Sequence, residues 1–455
     1  MLHRPKLIRW IAIGRLSLLY TLTCCTFAAS LSYAQMSDED GLRLRRQQMP
    51  KKNTVQRIVA WPYTVVRLPF LVTGRAMGYT VTFIDDTQLF PRVKDFLTSD
   101  DGLVSLYPTA SFGGRSGLTG ELTFSDRKFL KQGNRLGLHT SYSVEAHQNH
   151  YARYQAYDLI GSLYLDIRGR YNVNTNEDFF GIGPDISDVK GDGDQEDETN
   201  FRHEQLGGDL TIGIRWRKFF GTEVLINFTD HIIKEGEGTR SKSTLSPDPK
   251  SPFNRENTPG LEGAALIGVG GRIVFDTRDN DFYPSKGLLA AVSATVFDQT
   301  DDSKYGFTRY NLELSHYLTL FRRGRIFAVR LLGEINTRTS DNETPFFERA
   351  SLGGTGDLRG YNTGRFRDKD LILLNLEYRY PIWDAGVDQI GAMDAVLFVD
   401  IGRVFDDLME DTFKNYKISY GGGIRARTTT GFLLRAEFAH SDEENKVLFR
   451  FEPMF

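Results

Sequence analysis

From residue 103 onward, apolar and polar positions alternate in short runs separated by turn-forming residues. In 370–382, Ile372, Leu374, Leu376, Tyr378 and Tyr380 alternate with Asn375, Glu377 and Arg379. In 325–337, Phe327, Val329, Leu331 and Ile335 oppose Arg330, Glu334 and Asn336, and in 416–428, Ile418, Tyr420, Ile424 and Ala426 oppose Lys417, Arg425 and Arg427. A period of two is the mark of a β-strand, whose successive side chains point to opposite faces. A soluble sandwich would bury its second face, and repeated Arg and Glu there would be costly. In a wide barrel that face lines a wet lumen while the apolar face meets lipid. The pattern therefore predicts an all-β fold, a transmembrane antiparallel β-barrel.

Sixteen runs follow one another: 103–112, 117–126, 134–145, 151–158, 162–171, 204–217, 222–233, 264–277, 287–297, 306–320, 325–337, 370–382, 394–405, 416–428, 431–440 and 446–455. The break near 159–161 decides between an even and an odd number, and an even number leaves both chain ends on one side of the membrane. The stretches 172–203, 234–263 and 338–369 are long and polar, whereas 217–221, 321–325 and 428–431 are short. With sixteen strands the long stretches all fall on one side, the outer one in such barrels. The last run carries Val447, Phe449, Phe451 and Phe455 on one face. It is expected to close the barrel by pairing with the first.

Residues 1–34 read as a secretory signal peptide. Arg4, Lys6, Arg9 and Arg15 form a basic start, 16–31 is apolar, and Ser32-Tyr33-Ala34 precedes Gln35 at a small-x-small cleavage site. The apolar run is short for a membrane-spanning helix. It also holds both cysteines, Cys24 and Cys25, so the processed chain is expected to lack thiol chemistry. Residues 35–101 form a distinct extension: 36–53 is charged and expected to be disordered, prolines interrupt the apolar stretch after it, and 85–97 suits a short amphipathic helix. The barrel is assigned to 102–455.

Composition narrows the functions. A formal net charge of -3 offers nothing to nucleic acid, and a mean hydropathy of -0.36 is too polar for a helical membrane protein. No His-Glu-x-x-His or Gly-x-Ser-x-Gly motif is present, and His139, His147, His203 and His316 lack metal-ligand spacing. Gly354-Thr355-Gly356 lacks the strand and helix that a phosphate-binding turn requires. Asp188, Asp192, Asp194, Glu196, Asp197 and Glu198 offer hard oxygen ligands, but without the spacing of calcium loops a solvated acidic loop is favoured. No enzyme activity and no cofactor are expected.

The most informative stretch is Leu352-Gly353-Gly354-Thr355-Gly356-Asp357-Leu358-Arg359-Gly360-Tyr361, between two strand-like runs. Its glycines let the chain fold back tightly. In Phe398-Val399-Asp400-Ile401-Gly402, Phe398, Asp400 and Gly402 share one strand face, and Ala395, Leu397, Val399 and Ile401 share the apolar other. A loop arginine and an inward aspartate suit a charge-assisted pair, as if the loop folded into the lumen.

These two elements resemble signature motifs of the BamA/TamA-like outer-membrane barrels, also called the bacterial surface antigen family. There the motif arginine of the sixth extracellular loop meets the motif aspartate of strand 13, and Arg359 and Asp400 are the matching positions. A third likeness is 276–287, with Asp276, Arg278, Asp279, Pro284 and Gly287, similar to that family's periplasmic turn into a mid-barrel strand. Phe455 resembles a C-terminal assembly signal. The resemblance covers roughly 103–455. It implies the outer membrane of a Gram-negative bacterium, a loop lock of Arg359, Gly360, Tyr361, Phe398, Asp400 and Gly402, and work in inserting or translocating proteins, or moving lipid. Outer-membrane lipid, a client protein and a periplasmic partner would be its associates. The extension departs from the family, being too short for POTRA modules. A seam between the first and last strands could template a client strand, with Gly421, Gly422 and Gly423 making the region deformable. A passive channel or structural surface barrel is the alternative.

Overall fold

The computed structural model describes residues 97–113, 117–157, 159–183, 199–236, 258–301, 304–320, 324–338, 343–383, 390–407, 414–428 and 432–453. The expected signal peptide, nearly all of the extension with its expected helix, the acidic cluster from Asp188 to Glu198, and Phe455 lie outside the described residues.

The strands are β1 Val104–Gly113, β2 Gly117–Asp126, β3 Arg135–Ser143, β4 Gln148–Ala156, β5 Leu163–Phe179 and β6 Thr199–Arg217. Next come β7 Phe220–Glu235, β8 Ala264–Asp276, β9 Gly287–Gln299, β10 Gly306–Thr319 and β11 Ile326–Arg338. Two short strands, β12 Ala350–Leu352 and β13 Phe366–Asp368, precede β14 Asp370–Trp383, β15 Ile390–Phe405, β16 Lys417–Thr428, β17 Phe432–His440 and β18 Asn445–Pro453. All but β12 and β13 form one antiparallel sheet of 16 strands in chain order, so every strand pairs with its sequence neighbours. β12 and β13 form a separate two-stranded sheet inside the β11–β14 connection, and Arg367 of β13 also bridges Gly183. That connection is the sixth at the long-loop end, and β15 is the thirteenth strand of the large sheet.

All sixteen expected runs are strands, and the break near Gly161 is a turn. Several strands reach beyond their expected ends, among them β5, which runs to Phe179, β6, which starts at Thr199, β7, which ends at Glu235, and β15, which starts at Ile390. Polar residues such as Asn172, Asn174 and Glu177 read as loop, yet they continue the β5–β6 ladder. Past the apolar band both faces can be wet, so the ladder persists after the alternation has ended.

Burial follows the alternation. On β15, Leu397 is 64% exposed and Val399 36%, whereas Val396, Phe398 and Asp400 are buried. Val447 and Phe449 of β18 likewise face outward. Among the described residues no helix is long and apolar enough to cross a membrane. One expectation changes. β1 and β18 come within 8 Å between Cα atoms, but among the described residues no ladder joins them. Among the described residues the sheet thus ends in two facing edges, β1 and β18, and each has a row of backbone groups that its own hairpin does not use.

Candidate functional site

The β11–β14 loop enters the space enclosed by the sheet and carries its own small core. Leu352, Leu358, Tyr361 and Phe366 pack with Leu373 of β14 and Val404 of β15. Gly353 and Gly354 hold φ of 120° and 104°, backbone that side chains disfavour. A Cβ on Gly353 would also stand 2.1 Å from the Asn362 carbonyl oxygen, so the return of the chain requires glycine there. Gly402 makes room from the wall side, since its Cβ would meet Leu352 at 3.0 Å. Gly360 presses equally close to Ser419 and His440.

These fits place Arg359 on Asp400. Nε donates to Oδ2 at 2.9 Å, Nη2 to Oδ1 at 2.6 Å, and the Arg359 backbone N–H to Oδ2 at 3.2 Å. Asn375 and Ser419 also donate to Asp400, at 2.8 and 3.1 Å. The guanidinium lies over the Phe398 ring, 3.4 Å from its centroid. Two further carboxylates, absent from the sequence motifs, face Arg359 Nη1: Glu377 at 3.3 Å and Glu437 at 3.7 Å. Arg379 and Arg425 reach the same Glu377 at 2.6 Å each, and Arg425 joins Glu437 at 2.6 Å. Burial works against the Arg359 charge, but Asp400, Glu377 and Glu437 outweigh it and hold its pKa above the ordinary arginine value. The arrangement is a buried lattice of alternating charge rather than an isolated pair. Alternation had put Glu377, Arg379 and Arg425 on the polar face, but only strand register shows that they converge.

The same loop grips the β17–β18 hairpin. Ser441 Oγ donates to the Gly360 carbonyl at 2.9 Å and Tyr361 O–H to Asp442 at 2.5 Å. Arg365 donates to Glu443 at 2.7 Å, Lys446 to Asn362 at 2.7 Å, and Arg450 to the Thr355 hydroxyl. Burial, then Asp442, raises the Tyr361 phenol, which therefore stays protonated as a donor. Below the loop tip is a cavity of about 320 Å³, lined by Arg330, Arg359, Arg379, Arg425, Arg435 and Arg450 among others.

The 276–287 segment is the β8–β9 turn. Asp276 accepts from Arg278 at 2.7 Å, and Asp279 accepts the Ser285 N–H at 2.9 Å. The Asn280 side chain accepts the N–H groups of Phe282 and Tyr283. Gly287 has φ 106° and no space for a Cβ. The turn directs Tyr283 inward, where it is 5% exposed and donates to Asp394 at 2.9 Å. Arg379 stacks on that ring at 4.2 Å and donates to the Pro284 carbonyl at 3.0 Å. Glu377 and Arg379 thus join the turn to the loop arginine. Tyr283→Phe leaves Asp394 with Arg427 at 3.4 Å, and the expected loss is about 1–2 kcal/mol, read as a lower urea midpoint with unchanged slope.

A model of the Omp85 superfamily domain matches residues 108–452. A search of curated proteins finds no match. Among solved structures, the chain is similar to BamA from Haemophilus ducreyi lacking POTRA domains 1-3, at 16% identity and TM-score 0.53, over 77% of this chain and 69% of that one. It is also similar to CdiB from Escherichia coli at 11% identity and TM-score 0.52, over 79% and 69% of the two chains. CdiB from Acinetobacter baumannii matches at 11% identity and TM-score 0.50, over 77% of this chain and 59% of that one. At these identities the likeness is one of fold.

Proposed function

The chain belongs to the Omp85 superfamily, whose members insert or translocate proteins at the outer membrane, and from that premise we propose that this barrel handles protein clients through its β1–β18 seam under control of the sixth loop. The observation that carries this reading is the asymmetry in how β18 is held. Among the described residues its ladder partner is β17 alone, while the sixth loop bonds the β17–β18 hairpin from inside at Gly360, Tyr361, Asn362, Arg365 and Thr355. A strand with one free edge offers backbone groups to an incoming client strand. The loop, fixed on β15 by Arg359 and Asp400, sets how far that edge can move. The Arg359 lattice is thus the lock and the hairpin contacts are its connection to the seam.

The test is client folding in liposomes. The purified protein should speed the folding of an unfolded barrel client over empty liposomes. Steady conductance with no acceleration would instead support a passive channel. Tyr361→Phe with Arg365→Gln removes two hairpin contacts of about 1 kcal/mol each. The open-seam population should then rise roughly thirtyfold, seen as more frequent large-conductance events. Unaltered gating in that variant would count against loop control.

A further inference from the structure

The last three strands put three arginines in one cross-strand row. Arg425 of β16 stands opposite Arg435 of β17, and Arg435 stands opposite Arg450 of β18. Register partners share a face, here the lumenal one. Like charges directly opposite one another repel, so such a row weakens the ladder unless anions stand against it. The neighbouring carboxylates are heavily shared. Glu437 meets Arg425 at 2.6 Å, Arg435 at 3.1 Å and Arg359 at 3.7 Å. Glu377 meets Arg379 and Arg425 at 2.6 Å each and Arg359 at 3.3 Å. Each of these two carboxylates thus serves three guanidinium groups.

The row borders the cavity below the loop tip, which Arg330 enters from β11. Arg330 lies 3.8 Å from Glu313 and donates to the Gly356 carbonyl at 3.2 Å. Arg450 donates to the Thr355 hydroxyl, so the two arginines hold adjacent residues of the loop tip. Among the described residues that line the cavity, six are arginines and one, Glu377, is a carboxylate. At about 320 Å³ the space is that of a small-ligand site, and guanidinium groups select an anion for it. Carboxylate and phosphate both fit a guanidinium fork, but their shapes differ. A carboxylate presents two oxygens in one plane, which a single fork satisfies. A phosphate presents its oxygens tetrahedrally and takes forks from several directions. Arginines reach this cavity from β11, β14, β16, β17, β18 and the loop, and that convergence suits phosphate.

We propose that the cavity is a binding site for a ligand bearing two or more phosphate groups. Arg330, Arg435 and Arg450 take its charge, while Arg359, Arg379 and Arg425 stay with their carboxylates. Bound there, the ligand relieves the opposition of Arg435 and Arg450 and ties β11 to the last hairpin. Two sources carry this chemistry: a soluble oligophosphate that reaches the lumen, and a lipid headgroup with two phosphates that enters at the β1–β18 seam. Binding at this site does not depend on client handling.

The test titrates inorganic pyrophosphate, by calorimetry, into the full chain folded in uncharged detergent. Saturable binding of one pyrophosphate per chain is expected, weakening as sodium chloride is added. Arg330→Gln and Arg435→Gln should each weaken it about tenfold, the loss of one charge-assisted fork. Arg272→Gln, on β8 and outside the cavity, should bind like the parent. Arg330 is half-buried and stands apart from the buried lattice, so its variant carries the test should Arg435→Gln not fold. Repeating the titration with cardiolipin, a lipid with two phosphates, in the micelles separates the sources. Competition with pyrophosphate assigns the site to a lipid headgroup, and unchanged binding assigns it to a soluble ligand. A titration that does not saturate would overturn the proposal, as would an affinity left unaltered in the Arg330 and Arg435 variants.

Discussion

Arg359→Ala is expected to cost roughly 3–5 kcal/mol and to release the sixth loop from the β15 wall. The side chain it removes neutralises Asp400, which has no exposed surface, together with Glu377 and Glu437 at 3.3 and 3.7 Å. Asn375 and Ser419 would remain on Asp400, but neither carries charge, and a buried carboxylate left with neutral donors is expensive. Urea unfolding in detergent, followed by the change in gel mobility on heating, measures the loss. The three-carboxylate setting also decides the charge-swap experiment. Arg359→Asp with Asp400→Arg reverses one contact but sets an aspartate against Glu377 and Glu437, so the double variant should be no more stable than Arg359→Ala. Full rescue by the swap would mean that the pair acts in isolation and that the lattice contributes little.

Gly421→Ala should be nearly as damaging, by about 2 kcal/mol or more, with a low yield of folded barrel. A Cβ at 421 would stand 1.9 Å from the Phe438 carbonyl oxygen of β17 and 2.6 Å from the Phe398 ring. Neither can retreat: the carbonyl belongs to the neighbouring strand, and Phe398 lies beneath the Arg359 guanidinium. Gly423 is equally closed, its Cβ meeting the Ala436 carbonyl oxygen at 2.2 Å. The glycine run is therefore a packing requirement. Gly169, in the middle of β5 with open space where its Cβ would go, is the control. Gly169→Ala should change stability by no more than about 0.5 kcal/mol, and similar losses at 169 and 421 would remove the steric argument.

The strands were legible because alternation is a local property: each residue's face follows from its neighbours two positions away, and lipid and water select opposite chemistries for the two faces. Where that selection ends the reading ended too, which is why the polar extensions of β5, β6 and β7 looked like loop. The turn chemistry of 276–287 was local in the same sense, with Asp276, Asp279 and Asn280 capping backbone within a few residues. That Tyr283 reaches Asp394, 111 positions away, was not.

The site divides along the same line. Face parity turned Asp400 inward, and the resemblance of the two motifs to those of the BamA/TamA-like barrels singled out Arg359 as its partner. Which other charges join them depends on register across several strands. Asn375, Asp400 and Ser419 are successive cross-strand neighbours, as are Glu377, Phe398 and Gly421. A shift of one residue in any ladder would turn those side chains to the lipid face. The hold on the β17–β18 hairpin, and the arginines that converge on the cavity below the loop tip, bring together residues tens to over a hundred positions apart, and no sequence period encodes such meetings. The sequence by itself determined which face each strand turns to lipid, because partitioning acts on every residue separately. The tertiary structure decided which buried charges neutralise one another, because that depends on distances only the assembled barrel sets.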